Sequence, residues 1–271
     1  NGEQYLPNLI RSIKNSSYAP FEILIIDNCS TDNGIQIIKK DFPDVRIYEM
    51  NKNNGPGASR NFGLKVTNGE YILFLDNDTE VKKDTLKKLV LAAEKNKKYV
   101  FFIPRILYYN TNIIQKEGSR FHYTGITVHS SNYNLKKNES KKDNRILKTF
   151  SGTAFFFAKD RCKKLIFYDE TFFYAFEDLD YAIRNYMIGN MPWFIPEAEI
   201  YHKGGTIGLS YRGGKDYPSE RLFYIIRNRW ILLLKNYEIK TLILLIPINL
   251  LFELALFIFT LWKSKDKIIY F

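Results

Sequence analysis

Cysteine is scarce in this chain of 271 residues: Cys29 and Cys162 are the only two. They lie far apart and match no metal-type or redox spacing, which excludes a disulfide framework and a cysteine-built zinc site. They read as free thiols of a reducing compartment. No internal repeat is present, and no zinc-finger spacing or RNP-like aromatic run marks a nucleic-acid module. Acidic residues are outnumbered, 29 against 40 basic, for a net charge of +11. That balance favours anionic partners, namely nucleoside diphosphates and acidic lipid headgroups; the absent modules remove nucleic acid. Disorder is excluded by 16% aromatic and 45% hydrophobic content. The first residues are Asn1-Gly2 and not methionine, so the lack of a signal peptide is uninformative. Two N-glycosylation patterns, Asn28-Cys29-Ser30 and Asn77-Asp78-Thr79, fall inside the best site motifs, and a cytosolic location is the simpler assumption.

What is there alternates. Leu6, Leu9, Ile10 and Ile13 repeat at helical spacing, and residues 21–26 form an apolar run that reads as a buried strand. A helix over 34–40, a strand over 45–50, a Gly-rich helix start over 55–63 and a strand over 71–75 follow. A helix over 84–95 and a strand over 99–103 complete the first half. Strands separated by helices imply parallel units, and runs such as ILII and YILFL suit strands covered on both faces. The expectation is an α/β sandwich of nucleotide-binding type. In the second half, 121–129 alternates like one strand, and 132–145 is a Lys-rich stretch with the pattern of a mobile loop. A strand over 151–158, a helix over 177–187, a strand over 195–201 and a helix over 218–235 come next.

Residues 241–262 are almost wholly apolar, interrupted by Pro247, Asn249, Glu253 and Thr260. Their length would span a bilayer, but Glu253 and Pro247 make a clean span costly. Lys235 and Lys240 on one side and Lys263, Lys265 and Lys267 on the other give no orientation. A helix lying in the interface is the favoured reading; a span and a soluble packing helix stay open.

Five stretches carry chemistry. Asp27 and Asn28 close a buried strand ahead of a polar turn, where α/β folds bind ligands, and Asp27 suits a nucleobase NH; the plainer reading is a turn cap. Asp76-Asn77-Asp78 closes the next strong strand. Alternate carboxylates there suit one hard divalent cation, Mg²⁺ or Mn²⁺, held together with substrate phosphates. Between them lies Asn53 to Gly63, whose small residues admit a ligand close to a helix start; Arg60 would meet a base or phosphate there, and packing glycines are the plainer reading. Glu177, Asp178 and Asp180 follow the aromatic run Phe172-Phe173-Tyr174. They read as helix N-terminal charges or, beside a pocket, as a source of a general base. His202 precedes Gly204-Gly205 and reads as structural or as a third metal ligand or diphosphate contact.

In their order these stretches resemble glycosyltransferase family two, of the GT-A fold, nearest its rhamnosyltransferase-like and galactofuranosyltransferase-like branch. EILIIDNCSTD, NNGPGASRNFG, YILFLDNDTE, SGTAFFFAKD, FFYAFEDLDYAIR, YHKGG and RNRW carry the resemblance, which reaches from Asn1 to about Arg229. It implies a Rossmann-like, mixed but mostly parallel sheet flanked by helices, in which residues 1–105 bind the nucleotide sugar and 106–235 the acceptor. Residues 236–271 would form an apolar, membrane-associating helix. The family's first strand is missing ahead of Asn1-Gly2, which would expose backbone partners in the sheet.

The resemblance also implies an inverting enzyme using a UDP- or dTDP-type sugar and Mn²⁺ or Mg²⁺. Asp27, Asn28, Arg60, Asn61 and Asp76 would hold the donor, and Asp78 and His202 the metal. Asp178 would be the base supported by Glu177, with Gly152, Thr153, Phe173 and Tyr174 on the acceptor side. A saccharide or lipid-linked acceptor at the cytoplasmic face of a membrane fits the basic surface and the apolar helix. A nucleotidyltransferase with a related site and an inactive membrane-attached scaffold are the competing readings.

Overall fold

A computed structural model describes residues 1–140, 143–204 and 219–263, without the side chains of 219 and 259–263. Gly205, Lys141, Lys142, Pro218, Lys265 and Lys267 lie outside the described residues. In chain order the elements are α1 (Leu6–Lys14), β1 (Leu24–Asp27), α2 (Gly34–Asp41), β2 (Arg46–Glu49), α3 (Gly55–Val66), β3 (Tyr71–Leu75), β4 (Thr79–Val81), α4 (Thr85–Lys95) and β5 (Phe101–Tyr108). Then come β6 (Ile114–Lys116), β7 (Ser119–Phe121), β8 (Thr127–His129), β9 (Ala154–Ala158), α5 (Glu177–Met187), β10 (Pro192–His202), α6 (Ser219–Asn236) and α7 (Ile239–Lys263).

The central sheet runs β3-β9-β5-β10-β4, with β6 on β5. Strand β9 explains its own sequence: all five residues of AFFFA are buried because the sheet is covered on both faces. Phe155 and Phe157 pack with Phe101, Leu64 of α3 and Tyr181 of α5. Phe156 and Ala158 face the other way, onto Leu89 and Ala93 of α4. Strand period two thus distributes one aromatic run between two cores.

The fold class read from the sequence holds, with one difference inside the sheet. Among the described residues only β1–β2 and β5–β10 pair in parallel, while β3–β9, β5–β9, β5–β6, β4–β10 and β7–β8 are antiparallel. The mostly parallel expectation is corrected accordingly: β9 and β4 pair antiparallel with their sheet neighbours, and periodicity does not encode a strand's direction. Residues 121–129 are likewise the end of one strand, a turn and a second strand, with Gly125 at φ +84 turning the chain.

Strands β1 and β2 form a sheet of their own, backed by α1 and α2 through Leu9, Ile10, Ile35 and Ile38. No described strand joins β1 to β3. The space between them is an apolar-walled cleft bordered by Leu24, Ile25 and Ile26 on one side and Ile72 to Leu75 on the other.

Helix α7 runs unbroken through Pro247 for 25 residues, and Ile239–Ile258 is long and apolar enough to cross a membrane. Asn249 and Glu253 point inward. Arg229 of α6, 1% exposed, lies 3.1 Å from the Glu253 carboxylate and 3.3 Å from Asn249 Oδ1. Leu244, Leu250 and Leu251 stand exposed on the outer side. Glu253 is therefore a helix–helix contact and not an isolated charge.

The start of α3 is seated against the loop before α5. Gly55 has φ +82, and a Cβ there would lie 1.9 Å from the Phe173 carbonyl oxygen. Gly55→Ala is expected to destabilise the fold by at least about 2 kcal/mol, since both backbone strain and a backbone clash must be relieved. Urea unfolding measures this, and an alanine variant with the parental midpoint contradicts the seating of this loop.

Candidate active site

Two carboxylates and an imidazole are brought together by the ladder between β4 and β10. Past the tip of β3 the chain turns at Asp76-Asn77-Asp78, closed by Thr79, whose hydroxyl donates to the Asp76 carbonyl at 2.7 Å. Antiparallel pairing then sets His202 opposite Thr79. His202 Nε2 lies 3.2 Å from Asp78 Oδ1, and one ligand atom from each of Asp76, Asp78 and His202 falls within 4.8 Å of the others. Asp78 and His202 are buried. Loss of solvent lifts the Asp76 carboxyl above its ordinary range; Arg60 opposes the shift and Asp78 adds to it.

The cluster fits a divalent cation by its chemistry. Two carboxylates and a nitrogen supply three donors, leaving positions for phosphate oxygens. His202 Nδ1 sits 2.5 Å from Gln115 Oε1. An Nδ1–H donated to that oxygen would leave the Nε2 lone pair free to hold a cation together with Asp78, the role that outer partners play for metal-bound histidines. Gln115 had no signal in the sequence, because only the β5–β6 hairpin brings it under β10.

At the end of β1, Asp27 is buried and its Oδ2 accepts from Ser30 N at 3.0 Å. Asn28 Oδ1 accepts from Asn54 N at 3.0 Å, tying this tip to the start of α3. Both border the same cavity of about 1250 Å³ as Asp76, Asp78 and His202. Asn61 does not. Its buried amide is taken up by the Tyr168 carbonyl at 3.0 Å, Tyr168 N at 2.7 Å and Glu170 Oε1 at 2.8 Å. The donor-binding expectation for Asn61 is corrected: on α3 it faces the core side, one helical position round from Arg60.

Arg60 occupies the middle of the site. Its Nη2 donates to Asp76 Oδ1 at 2.7 Å and to the Gly152 carbonyl at 3.0 Å, and its Nη1 lies 3.6 Å from Glu177 Oε1. Burial alone would lower its pKa, but Tyr168, Asp76, Glu177 and Asp178 together raise it, so the charge is secure. The guanidinium faces protein carboxylates, where the sequence had suggested a base or phosphate. Gly152 leaves room for it: a Cβ there would stand 2.9 Å from both terminal nitrogens.

Glu177 and Asp178 open α5. Asp178 Oδ2 accepts from Gly152 N at 2.9 Å and Oδ1 from Leu179 N at 2.8 Å. Burial, with the Asp178 charge adding to it, pushes Glu177 up to about 8 against the pull of Arg60. The buried Oε2 of Glu177 has no hydrogen-bond partner among the described residues. Asp180 points elsewhere: fully buried, it meets Arg184 at 2.6 Å and Lys235 at 3.1 Å. The loop before α5 is strained. Phe173, Ala175 and Phe176 all have positive φ, a conformation that costs about 1–3 kcal/mol for each such residue.

A second cavity of about 320 Å³ adjoins the first and is bordered by Gly152, Thr153, Tyr174 and Asp178. Arg60, Asp76, Tyr174 and Glu177 border both cavities, and Phe173 borders the larger. Lys116 also lines both, with Nζ 2.8 Å from Ser151 Oγ and 3.1 Å from Thr153 Oγ1. A lone lysine beside Gln115 carried no pattern that sequence reading could use.

Comparison with known proteins places this geometry. The chain is 32% identical over 108 residues to the poly(ribitol-phosphate) beta-N-acetylglucosaminyltransferase TarS of Staphylococcus aureus, which is 38% of this chain and 19% of that protein. It is 32% identical over 163 residues to the GalNAc(5)-diNAcBac-PP-undecaprenol beta-1,3-glucosyltransferase of Campylobacter jejuni, 57% of this chain and 47% of the other. The chain thus spans less than half the length of either relative. The structure of TarS 1–349 with UDP-GlcNAc superposes with a TM-score of 0.57 at 20% identity, covering 88% of this chain and 65% of that one. GalNAc-T7 with UDP, GalNAc and Mn²⁺ gives 0.59 at 18%, covering 73% and 41%. The model of the family Glycosyl transferase family 2 matches residues 1–166, more than half of the chain, and the chain belongs to that family.

Proposed function

We propose that the chain transfers a sugar, with inversion, from a UDP- or dTDP-type nucleoside diphosphate sugar to a hydroxyl of a saccharide or lipid-linked saccharide. One observation carries the reading: the Asp76–Asp78–His202 cluster and Asp178 stand on two adjoining cavities that share Arg60, Asp76 and Glu177. The polar end of the larger cavity, at Asp76, Asp78 and His202, suits the donor diphosphate, with Asp27 and Asn28 at the nucleoside end. The smaller suits the acceptor, with Gly152, Thr153 and Tyr174 around it, while Phe173 borders the larger cavity beside them. UDP and UDP-GlcNAc in TarS, and UDP with Mn²⁺ in GalNAc-T7, support a uridine donor. The names of the relatives point to polymeric or undecaprenol-linked acceptors.

Asp78, His202 and Asp76 would hold Mn²⁺ or Mg²⁺, which neutralises charge on the departing diphosphate. Asp178 is positioned by Gly152 N and Leu179 N, and each carboxylate oxygen keeps a further lone pair. The acceptor oxygen attacks the anomeric carbon, its proton passes to Asp178, and the carbon–oxygen bond to the diphosphate breaks with its electrons on the leaving oxygen. Glu177, whose carboxyl pKa is raised by burial beside Asp178, lines both cavities next to it. Residues 1–105 supply the donor side and 106–235 the acceptor side, although His202 crosses over to the metal.

Helix α7, within the membrane-associating segment 236–271, lies on the cytoplasmic face of a membrane in this reading. Its exposed leucines enter the interface and the net positive charge favours acidic lipid.

Asp78→Ala should abolish the Mn²⁺-dependent part of the thermal shift given by UDP, with the unliganded fold retained. A full metal-dependent shift in the variant returns Asp78 to a turn cap. Asp178→Asn should lower transfer by about 10²–10⁴-fold while donor affinity stays near the parental value. Transfer near the parental rate removes Asp178 as the base. For the membrane, Leu244→Glu with Leu251→Glu should stop flotation with anionic vesicles while leaving the Arg229 contacts intact. Unchanged flotation, resistant to high salt, removes α7 as the anchor, since salt screens only the charged contribution.

A further inference from the structure

The carboxyls of Glu177 and Asp178 stand where the preceding loop delivers them, and that loop cannot hold its own shape. Three of the four residues from Phe173 to Phe176 have positive φ. Tyr174 N donates to the Phe172 carbonyl at 2.6 Å, closing a three-residue turn about Phe173 with φ 56 and ψ −61. A turn of that hand is rare and strained in L-residues, so outside ties must maintain it.

The ties come from α6. Asn228 is fully buried, and its side-chain nitrogen lies 2.7 Å from the Phe172 carbonyl, 2.7 Å from that of Tyr174 and 2.8 Å from that of Ala175. An amide has two hydrogens, so three carbonyls share two donors, and no apolar side chain or carboxylate replaces that. The amide is itself oriented: its oxygen accepts from Arg227 Nε at 2.9 Å, while Arg227 Nη2 reaches the Phe172 carbonyl at 3.2 Å. Tyr224, on the same helix, packs against the Phe173 ring at 5.1 Å between centroids. On the opposite side the Phe173 carbonyl bears on Gly55.

We infer that Asn228 is a positioning residue for the transfer reaction. Through the carbonyls of Phe172, Tyr174 and Ala175 it sets where Asp178 and Glu177 stand relative to Gly152 and Arg60. The inference rests on the acceptor-side role proposed for Asp178. A purely structural asparagine would affect stability alone, whereas a positioning one affects turnover and leaves donor binding intact.

The test uses Asn228→Leu in the full chain, well below its melting temperature, with UDP-GlcNAc and Mn²⁺ as probe. UDP release should fall on the order of 10–10²-fold, the scale of a small misplacement of reacting groups. UDP affinity with Mn²⁺, by calorimetry, should stay within about twofold. Hydrogen exchange at the amides of residues 174–180 should quicken. Parental turnover together with parental exchange overturns the inference whatever the melting temperature; so does a parallel loss of UDP affinity. Should Asn228→Leu not fold, Arg227→Lys, which keeps the charge but removes the Nε donor, should show the same pattern at smaller size, and its absence overturns the inference. If the parent chain releases no UDP, the functional reading loses its support, and the exchange comparison alone then decides the clamp.

Discussion

The arrangement turns on one buried cation. Arg60 gathers Asp76 from the tip of β3, the Gly152 carbonyl ahead of β9 and Glu177 at the start of α5. Taking a guanidinium out of water is costly, and only good geometry with several charged and polar partners offsets it. The need for partners therefore constrains three segments from different parts of the chain at once. It places the proposed metal side and the proposed acceptor side on opposite flanks of the same side chain. The glycine at 152 leaves room for it, since a Cβ there would press on the guanidinium unless the arginine moved.

The sheet supplies the second constraint. His202 reaches Asp78 because β10 crosses β4 in antiparallel register, and Gln115 reaches His202 because β6 folds back on β5. Such contacts are set by strand pairing, in which a shift of one residue would turn every side chain to the other face. The register is held by the two aromatic cores, with Phe155 and Phe157 on one face and Phe156 on the other. Core packing and site geometry are thus one problem in this protein.

Helix α6 links that site to the apolar helix. Asn228 turns toward the loop that carries Phe173 and Tyr174, while its neighbour Arg229 turns toward Asn249 and Glu253 of α7. Successive helical residues point about 100° apart, so one helix serves both surfaces with adjacent positions. The pairing of Arg229 with Glu253 also changes the meaning of an acid in an apolar stretch: it is a docking contact, and the outer face of α7 is left apolar.

The sequence by itself determined the succession of helices and buried strands, the division between a polar catalytic region and an apolar last helix, and the strand-end positions of Asp27, Asp76, Asp78 and His202. These follow from local periodicity and from carboxylates that end apolar runs, which neighbouring residues alone encode. Tertiary structure alone decided which of those residues meet. Arg60 and Asn61 are adjacent and chemically similar in promise, yet one helical step sends the first into the site and the second to Tyr168 and Glu170. Glu177, Asp178 and Asp180 read as one acidic cluster, and packing separates them into a buried acid of raised pKa, a held carboxylate and a buried partner of Arg184 and Lys235. Lys116 and Gln115 had no pattern to reveal them, and the hairpin in 119–129 read as one strand because its turn preserves alternation. Long-range pairing and burial set these outcomes, since the energy of a charge or an amide depends on what surrounds it in space and not on its neighbours along the chain.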